Sequence, residues 1–220
     1  SETNGSTTVT ATLNTTSAQT VTVNIVKSGT ATVITDYTLG TQISIPPGST
    51  SVSITLASVS DLLDELNETV VIDIDAVTNG TEQGTQTATT TINDDDASPV
   101  VTLSVGTTTI NETGAPTTTQ VTASLSATSN LDITVTLAKT GTATEGSGSD
   151  YTLSTTIIIP ALSPSASVTL TAINDANAEE DETVVIDILS VTNGSENGTQ
   201  TATTTIVSDD APAAPTNLAV

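Results

Sequence analysis

The chain has 220 residues, with 25 acidic residues against two lysines and a formal net charge of −23 at pH 7. This charge argues against nucleic acid or anionic lipid as a binding partner, because both are themselves negatively charged. The absence of Cys and His excludes disulfides, thiolate metal sites and His-dependent catalysis. Thr fills 52 positions, and this β-branched composition predicts strands rather than helices.

An internal repeat sets the organisation of the chain. Residues 68–74 recur as residues 182–188, and residues 85–92 recur as residues 199–206, both at an offset of 114 positions. Two short insertions in turn-like segments reduce the offset of earlier markers. We predict a first repeat at residues 1–97, a second at 98–211, and a linker or the start of a following module at 212–220. No signal peptide or membrane span is recognisable, so we expect a segment of a longer protein.

Within each repeat, short runs alternate apolar and polar residues with a period of two, as expected for antiparallel sheets with one buried face. The runs are at 21–25, 52–56 and 70–74 in the first repeat, and at 133–137, 168–170 and 184–188 in the second. About seven such strands per repeat predict two tandem immunoglobulin-like β-sandwiches. A strand at 100–105 opens the second repeat, and the first repeat lacks its counterpart.

Acidic residues gather in the segments between the predicted strands, at equivalent positions in both repeats. The first repeat has Glu2, Asp36, Asp61, Asp64, Glu65, Glu68, Asp94, Asp95 and Asp96, and the second has Glu112, Asp150, Asp175, Glu179, Glu180, Asp181, Glu182, Asp209 and Asp210. By contrast, Asp73, Asp75, Asp132 and Asp187 occupy outward strand positions and read as ordinary surface residues. Loops from alternate strands meet at one end of a sandwich, so the first group is expected to converge.

Converging carboxylates repel one another, by roughly 1 kcal/mol per pair at 4 Å in water and about 4 kcal/mol near a protein surface. A bound cation removes this cost. Calcium (Ca²⁺) fits best, because it accepts 6 to 8 oxygen ligands and needs neither His nor Cys, while magnesium ranks second. The alternative is a solvated acidic rim that holds no ion.

Three motifs resemble tandem Calx-beta domains, a family named for the regulatory calcium-binding domains of sodium-calcium exchangers. They are Gly-Thr-Ala-Thr leading to Asp150 and Tyr151, the acidic stretch 175–182 before an apolar strand, and Thr-Ile followed by aspartates at 94–96. The resemblance covers nearly the whole chain and implies a calcium-binding sandwich. It implies as ligands Glu2, Asp36, Asp61, Glu65, Glu68, Asp94, Asp95 and Asp96 in the first repeat, and Glu112, Asp150, Asp175, Glu179, Asp181, Glu182, Asp209 and Asp210 in the second. The sequence departs from the family pattern at Ser60, Asn67, Asn174 and Ser208.

The Thr-rich, Lys-poor and Arg-poor composition resembles the repeat arrays of large bacterial surface adhesins, including flavobacterial gliding adhesins. This resemblance implies an extracellular location on the cell surface. Calcium would stiffen the ends and linkers of the repeats, which would contact neighbouring repeats and project a distal adhesive region. No direct membrane insertion is expected.

Other functions are weaker interpretations of the sequence. A calcium sensor like the exchanger domains would use the same ligands and would differ in affinity. Binding of carbohydrate or ice by the Thr-rich faces is disfavoured, because exposed aromatic residues and a short-period Thr array are missing. An enzyme is not expected, since the chain has no nucleophile motif or phosphate loop and its acids repeat in two copies. Paired carboxylates could hydrolyse glycosides, but that chemistry needs one cleft.

Overall fold

A computed structural model of the chain describes residues 1–146 and 149–210. Throughout these residues the regular elements are all β-strands. They form two compact units, Ser1–Ala97 and Ser98–Val220, called unit 1 and unit 2 below. Residues 212–220, predicted as a linker or a following module, lie outside the described residues. No described segment is a helix long and apolar enough to span a membrane.

Unit 1 is built from two antiparallel sheets. Its strands are β1 (Ser6–Thr12), β2 (Val21–Gly29), β3 (Tyr37–Thr38), β4 (Gln42–Ile45), β5 (Ser51–Ser58), β6 (Glu68–Thr78) and β7 (Thr87–Ile92). One sheet has the order β4-β2-β6-β7, and the other has the order β1-β5-β3.

Unit 2 repeats this arrangement with additional strands. Its elements are β8 (Val100–Val105), β9 (Thr109–Asn111), β10 (Thr118–Leu125), β11 (Ile133–Gly141), β12 (Tyr151–Thr152), β13 (Thr156–Ile159), β14 (Ser165–Ala172), β15 (Glu182–Thr192), β16 (Ser195–Glu196) and β17 (Thr201–Val207). The sheets have the orders β13-β11-β15-β17-β9 and β12-β14-β10-β8-β16. The edge pairs β9 with β17 and β16 with β8 are parallel.

The core of each unit lies between its two sheets and consists of the inward residues of alternating strands. In β2, Val21, Val23 and Ile25 are buried while the residues between them are partly exposed. β-Branched side chains pack well on such half-buried pleated surfaces. In both units the buried residues come from both sheets. The prediction of two antiparallel β-sandwiches is therefore confirmed.

Unit 2 contains three strands that have no equivalent among the strands of residues 1–97, namely β8, β9 and the two-residue β16. Strand β8 pairs with β10 and places Val101 and Leu103 in the core, and β9 pairs with β17 and buries Ile110. Within residues 1–97, β1 and β7 each lie at one edge of their sheet, with β3 and β4 at the opposite edges.

The segments that carry the triplet acids of each unit lie at one end of the sandwich. In unit 1 this is the end where β6 begins, because Glu68 at its start pairs with Ile92 at the end of β7, and Tyr37 at the start of β3 pairs with Ser58 at the end of β5. Unit 2 has the same pairing between Glu182 and the end of β17. The antiparallel register thus brings loops that are distant in sequence together.

Candidate metal centres

Two carboxylate triplets lie at the acidic end of unit 1. The first contains Glu2, Asp61 and Asp96, and the second contains Asp36, Glu65 and Glu68. Within each triplet, one carboxylate oxygen from every residue lies within 4.8 Å of those of the other two. The triplets adjoin, since the charge of Glu65 in the second triplet acts on Glu2 in the first.

Unit 2 has two triplets in the corresponding places. The second triplet is reproduced residue for residue, as Asp150, Glu179 and Glu182. The first contains Glu112 and Asp210, the counterparts of Glu2 and Asp96, together with Asp209, the counterpart of Asp95, in place of the counterpart of Asp61. The arrangement therefore belongs to the repeat and is not a chance grouping of surface acids in one unit.

Several carboxylate oxygens in these clusters are buried without a hydrogen-bond partner. Only 4% of Glu2 and 7% of Glu112 is exposed to solvent. Across the described residues, the buried side-chain oxygens that lack a partner are Glu2 Oε2, Glu68 Oε2, Asp94 Oδ1, Asp96 Oδ2, Glu112 Oε2, Ser208 Oγ and Asp210 Oδ2. An unsatisfied buried polar group costs about 1–3 kcal/mol, and more when it is charged. All seven atoms belong to the acidic ends, so each acidic end has oxygens that require a proton or a cation.

The electrostatics of the clusters favour neutralisation. Burial, followed by repulsion from Asp61 and Asp94, raises the pKa of Glu2 to about 7. Burial and a hydrogen bond with Asp36 raise the pKa of Glu68 to about 7, and burial and the equivalent bond with Asp150 do the same for Glu182.

Main-chain contacts hold the central aspartates in equivalent positions. Asp36 Oδ2 accepts a hydrogen bond from the backbone N–H of Thr32, and its carbonyl accepts one from Val59 at 2.9 Å. In unit 2, Asp150 Oδ2 accepts from the Thr144 N–H at 2.5 Å, and the Asp150 carbonyl accepts from Ile173 at 2.9 Å. These contacts fix the backbone of the loop before any ion arrives.

Some predicted ligands lie outside the triplets. Asp95 is exposed and accepts hydrogen bonds from Ser1 Oγ at 2.5 Å and from Thr3, and the bond with Ser1 is the main cause of its lowered pKa. Asp181 is exposed and belongs to none of the four triplets. Asp175 accepts two hydrogen bonds of 2.7 Å from Asn177.

Asp94 and Asp175 nevertheless lie close to the clusters, since their charges raise the pKa of Glu2 and Glu112, respectively. Their ligand role stays a prediction.

The structure adds one candidate donor that the sequence did not indicate. Ser208 occupies the position of Asp94 in the repeat, and it was predicted only as a missing acid. Its Oγ is buried without a partner, as is Asp94 Oδ1. The alignment of the two repeats contained this signal, because a serine hydroxyl can also supply an oxygen ligand.

The donor set fits calcium. The clusters offer carboxylate and hydroxyl oxygens, and calcium binds oxygen ligands in flexible geometries. Zinc prefers nitrogen and sulfur ligands, which these residues do not provide. Three converging carboxylates exceed the one or two that magnesium sites usually use.

Comparison with known proteins gives no match to a family model and none to a curated protein. Among solved structures, CBD12 from CALX1.2 aligns over 86% of this chain and 75% of its own, with 16% identity and a TM-score of 0.39. The calcium-binding domain CBD12 of CALX1.1 aligns over 84% and 74%, with 19% identity and a TM-score of 0.39. The apo form of the Calx CBD1 domain aligns over 50% of this chain and 99% of its own, with 16% identity and a TM-score of 0.40.

Proposed function

We propose that both units are calcium-binding structural repeats of an extracellular adhesin on a bacterial cell surface. The observation that carries calcium binding is the pair of carboxylate triplets, with their unpaired buried oxygens, at equivalent positions in both units. Oxygen ligands of this kind suit Ca²⁺. Because the triplets occur in both units, each unit has its own candidate calcium sites.

Bound calcium would supply positive charge, and the carboxylate oxygens of the chain would coordinate it. In unit 2, Glu112, Asp209 and Asp210 hold one position, and Asp150, Glu179 and Glu182 hold the other. These residues come from four separate segments, so an ion that they share ties the loops of one end together. Because the native fold assembles the ligands and the unfolded chain does not, binding stabilises the folded state.

In an extracellular location, calcium sites of low affinity would be sufficient to bind the ion. Extracellular calcium modules work with dissociation constants of about 10⁻⁴ to 10⁻³ M. We propose that the repeats act as spacers, in which calcium stiffens an array that projects a distal adhesive region. The aspartates at 94–96 directly precede the short segment 97–99 between the repeats. Asp94→Asn together with Asp96→Asn should therefore increase flexibility between the repeats in calcium, and scattering profiles unchanged by these substitutions would contradict the stiffening.

The decisive experiment is calorimetric unfolding of metal-stripped protein, titrated with calcium from micromolar to ten millimolar. Binding to native-state sites raises the free energy of unfolding by RT ln(1 + [L]/Kd), which is about 2.7 kcal/mol for one site when the calcium concentration is 100 times Kd. The unfolding temperature rises accordingly. Binding only above about 100 μM supports a spacer, while submicromolar binding would support a calcium sensor and contradict the spacer.

Matched variants locate the effect. Glu112→Gln should abolish most of the calcium-dependent stabilisation of unit 2, because it removes a buried charged ligand while preserving the side-chain shape. Without calcium the same variant should be at least as stable as the parent, since it removes a repelling charge. Glu180→Gln is the control, because it removes an exposed charge next to Glu179 in the loop between β14 and β15, and Glu180 belongs to none of the triplets.

Two results would contradict the metal assignment. One is an unfolding temperature independent of calcium, which would make the clusters solvated acidic rims. The other is an equal loss of calcium response in Glu112→Gln and Glu180→Gln, which would indicate diffuse charge screening.

A further inference from the structure

Unit 1 carries large aliphatic side chains that face solvent at its acidic end. Leu62 is 87% exposed, Ile34 is 77% exposed and Leu66 is 67% exposed. Leu62 directly follows a residue of the first triplet, and Leu66 directly follows one of the second. Ile34 lies in the loop between β2 and β3, just before Asp36. These three residues, called the apolar rim below, therefore border both carboxylate triplets.

The equivalent loop of unit 2 carries no large aliphatic side chain. At the offset of 114, Ala176 corresponds to Leu62 and Glu180 corresponds to Leu66. Both counterparts are exposed, although unit 2 contains β8 and β9. Exposure is thus a property of these loop positions in both units. Unit 1 differs in the apolar side chains that it places there.

The loop after the central strand has the same local geometry in the two units. The Leu63 N–H donates to Asp61 Oδ1 at 2.8 Å, and the Asn177 N–H donates to Asp175 Oδ1 at 2.7 Å. Each bond closes a turn around the residue that lies between donor and acceptor. In unit 1 that residue is Leu62, so the turn holds an aliphatic side chain out in solvent.

Ile34 occupies a turn position that favours glycine. Its φ is 84°, in the left-handed region that β-branched residues rarely adopt. The counterpart in unit 2 is Gly146, since Ile34 N–H donates to the Tyr37 carbonyl at 2.8 Å and Gly146 N–H donates to the Tyr151 carbonyl at 3.0 Å. Glycine adopts positive φ without strain. Backbone stability therefore does not account for an exposed isoleucine in this turn.

The apolar rim lies among negative charges. The segments that carry the triplets of unit 1 contain nine acidic residues. Lys27 is the only basic residue of positions 1–97, and it donates to the Leu39 carbonyl. One calcium ion in each triplet would cancel four of the nine formal charges, so this end stays negative when calcium is bound. It attracts cationic partners and repels anionic lipid, nucleic acid and a second copy of the chain.

We propose that the acidic end of unit 1 is a docking surface for a basic amphipathic protein segment, in which Lys or Arg alternates with aliphatic side chains. The aliphatic side chains of the partner cover Leu62, Leu66 and Ile34, and its basic groups lie against the surrounding carboxylates. Exposed apolar patches with a polar border are typical of protein interaction sites. Apolar burial provides affinity, while opposite charge provides steering and selects the partner. This role goes beyond the spacer function and belongs to unit 1 alone.

The test is binding of labelled synthetic peptides to the whole chain, followed by fluorescence anisotropy. A peptide of alternating lysine and leucine should bind saturably at one tight site per chain. A peptide of alternating lysine and glycine should bind about tenfold more weakly, because it carries the same charge but cannot cover the apolar rim. A peptide of alternating glutamate and leucine should not bind, since the acidic end repels it.

Variants of exposed residues locate the site. Leu62→Ala together with Leu66→Ala should weaken binding of the lysine-leucine peptide about tenfold and leave the lysine-glycine peptide unaffected. The matched control is Ile158→Ala together with Leu189→Ala, which removes two exposed aliphatic side chains from unit 2. It should leave binding unchanged. All four side chains face solvent, so both double variants should fold like the parent.

Ile34→Gly tests the strained position separately. Gly146 occupies the equivalent turn of unit 2, so this variant should unfold at a temperature no lower than that of the parent. Its binding of the lysine-leucine peptide should nevertheless be weaker. Lower stability with unchanged binding would mean that Ile34 has a structural role, and would overturn its place in the docking surface.

The measurements are made both in chelator and in millimolar calcium, and binding should persist in both. Loss of binding in calcium would overturn the proposal, because an extracellular partner meets the calcium-loaded end. Equal binding of the lysine-leucine and lysine-glycine peptides would also overturn it, since only diffuse charge attraction would remain. A third contradicting result is sedimentation with phosphatidylcholine vesicles, or self-association, that Leu62→Ala with Leu66→Ala abolishes. That result would assign the apolar rim to lipid or to a second copy of the chain.

Discussion

The two units share an acidic end but differ in how their sandwiches are closed. Both bring together Asp36, Glu65 and Glu68 or their counterparts, although unit 1 has no equivalent of β8 and β9 in residues 1–97. The acidic ends depend on the starts and ends of the central strands, which both units possess. Completion of the apolar core of unit 2 depends in addition on β8 and β9, which pair with β10 and β17 at the edges of the two sheets. Metal-site geometry and core closure are therefore separate properties of this repeat.

The clusters themselves differ in detail. Unit 1 has Asp94 where unit 2 has Ser208, and both carry a buried oxygen without a partner. The backbone of the first ligand is held in the same way in both units, since the Glu2 N–H donates to the Asn93 carbonyl at 3.0 Å and the Glu112 N–H donates to the Val207 carbonyl at 3.2 Å. The difference between the clusters therefore lies in the side chains, with one more carboxylate in unit 1.

The largest expected effect comes from weakening β8. Leu103→Ala should lower the free energy of unfolding of unit 2 by about 2–5 kcal/mol, because it removes a buried side chain from the core. Unit 1 should be unaffected, since its core contains no such strand. Hydrogen exchange measured by mass spectrometry can follow the two units separately.

Thr102→Ala is the control for this prediction, because Thr102 is exposed on the same strand. If Leu103→Ala changed exchange in unit 1 as strongly as in unit 2, the separation between the units would be wrong. If it changed neither, β8 would not complete the core of unit 2.

A smaller effect concerns the pH dependence of the metal-free protein. Burial is the main cause that raises the pKa of Glu2, Glu68 and Glu182 to about 7 from an ordinary value of 4.5. The folded state therefore holds protons that the unfolded state releases. Their contribution to stability is complete below about pH 4.5 and is lost as pH rises through 7. Burial also raises the pKa of Asp96 in unit 1 and of Glu112 and Glu179 in unit 2, so both units should lose stability between pH 5 and 8.

The measurement is unfolding of metal-stripped protein between pH 5 and 8, with Glu68→Gln and Glu182→Gln as matched variants. Each substitution should flatten the pH dependence of its own unit. Calcium binding at pH 7 should release protons, because the ligands must be deprotonated. Stability that rises with pH in the metal-free state would contradict the raised pKa values.

The sequence alone predicted the all-β class, the two-sandwich architecture and the acidic segments. Recurrence of residues 68–74 and their period-two alternation carried this information, because core-facing positions in strands follow a simple rule. It could not predict which acids meet, since that depends on loop geometry. Asp95, for example, comes from the same run as Asp96 but its carboxylate accepts hydrogen bonds from Ser1 and Thr3.

Composition gave no hint of what the two lysines do. Lys27 donates to the Leu39 carbonyl at 2.6 Å, and Lys139 donates to the Leu153 carbonyl at 2.9 Å. Lys139 also pairs with Glu145. Each lysine thus makes an equivalent hydrogen bond within its own unit. The amino-acid composition shows only that each carries a positive charge.

The smallest expected effect separates the two units at one hydrogen bond. In both units an equivalent glutamine side chain closes a loop, as Gln86 Nε2 donates to the Gln83 carbonyl at 2.7 Å and Gln200 Nε2 donates to the Asn197 carbonyl at 2.5 Å. Only Gln200 also accepts from the N–H of Leu103 in β8. Gln200→Ala should therefore cost more than Gln86→Ala, by about 0.5–1.5 kcal/mol in free energy of unfolding.

Chemical denaturation of each variant, followed by unit-resolved hydrogen exchange, measures both costs. Equal costs for Gln200→Ala and Gln86→Ala would contradict the prediction, because they would mean that the contact with Leu103 adds nothing to the stability of unit 2.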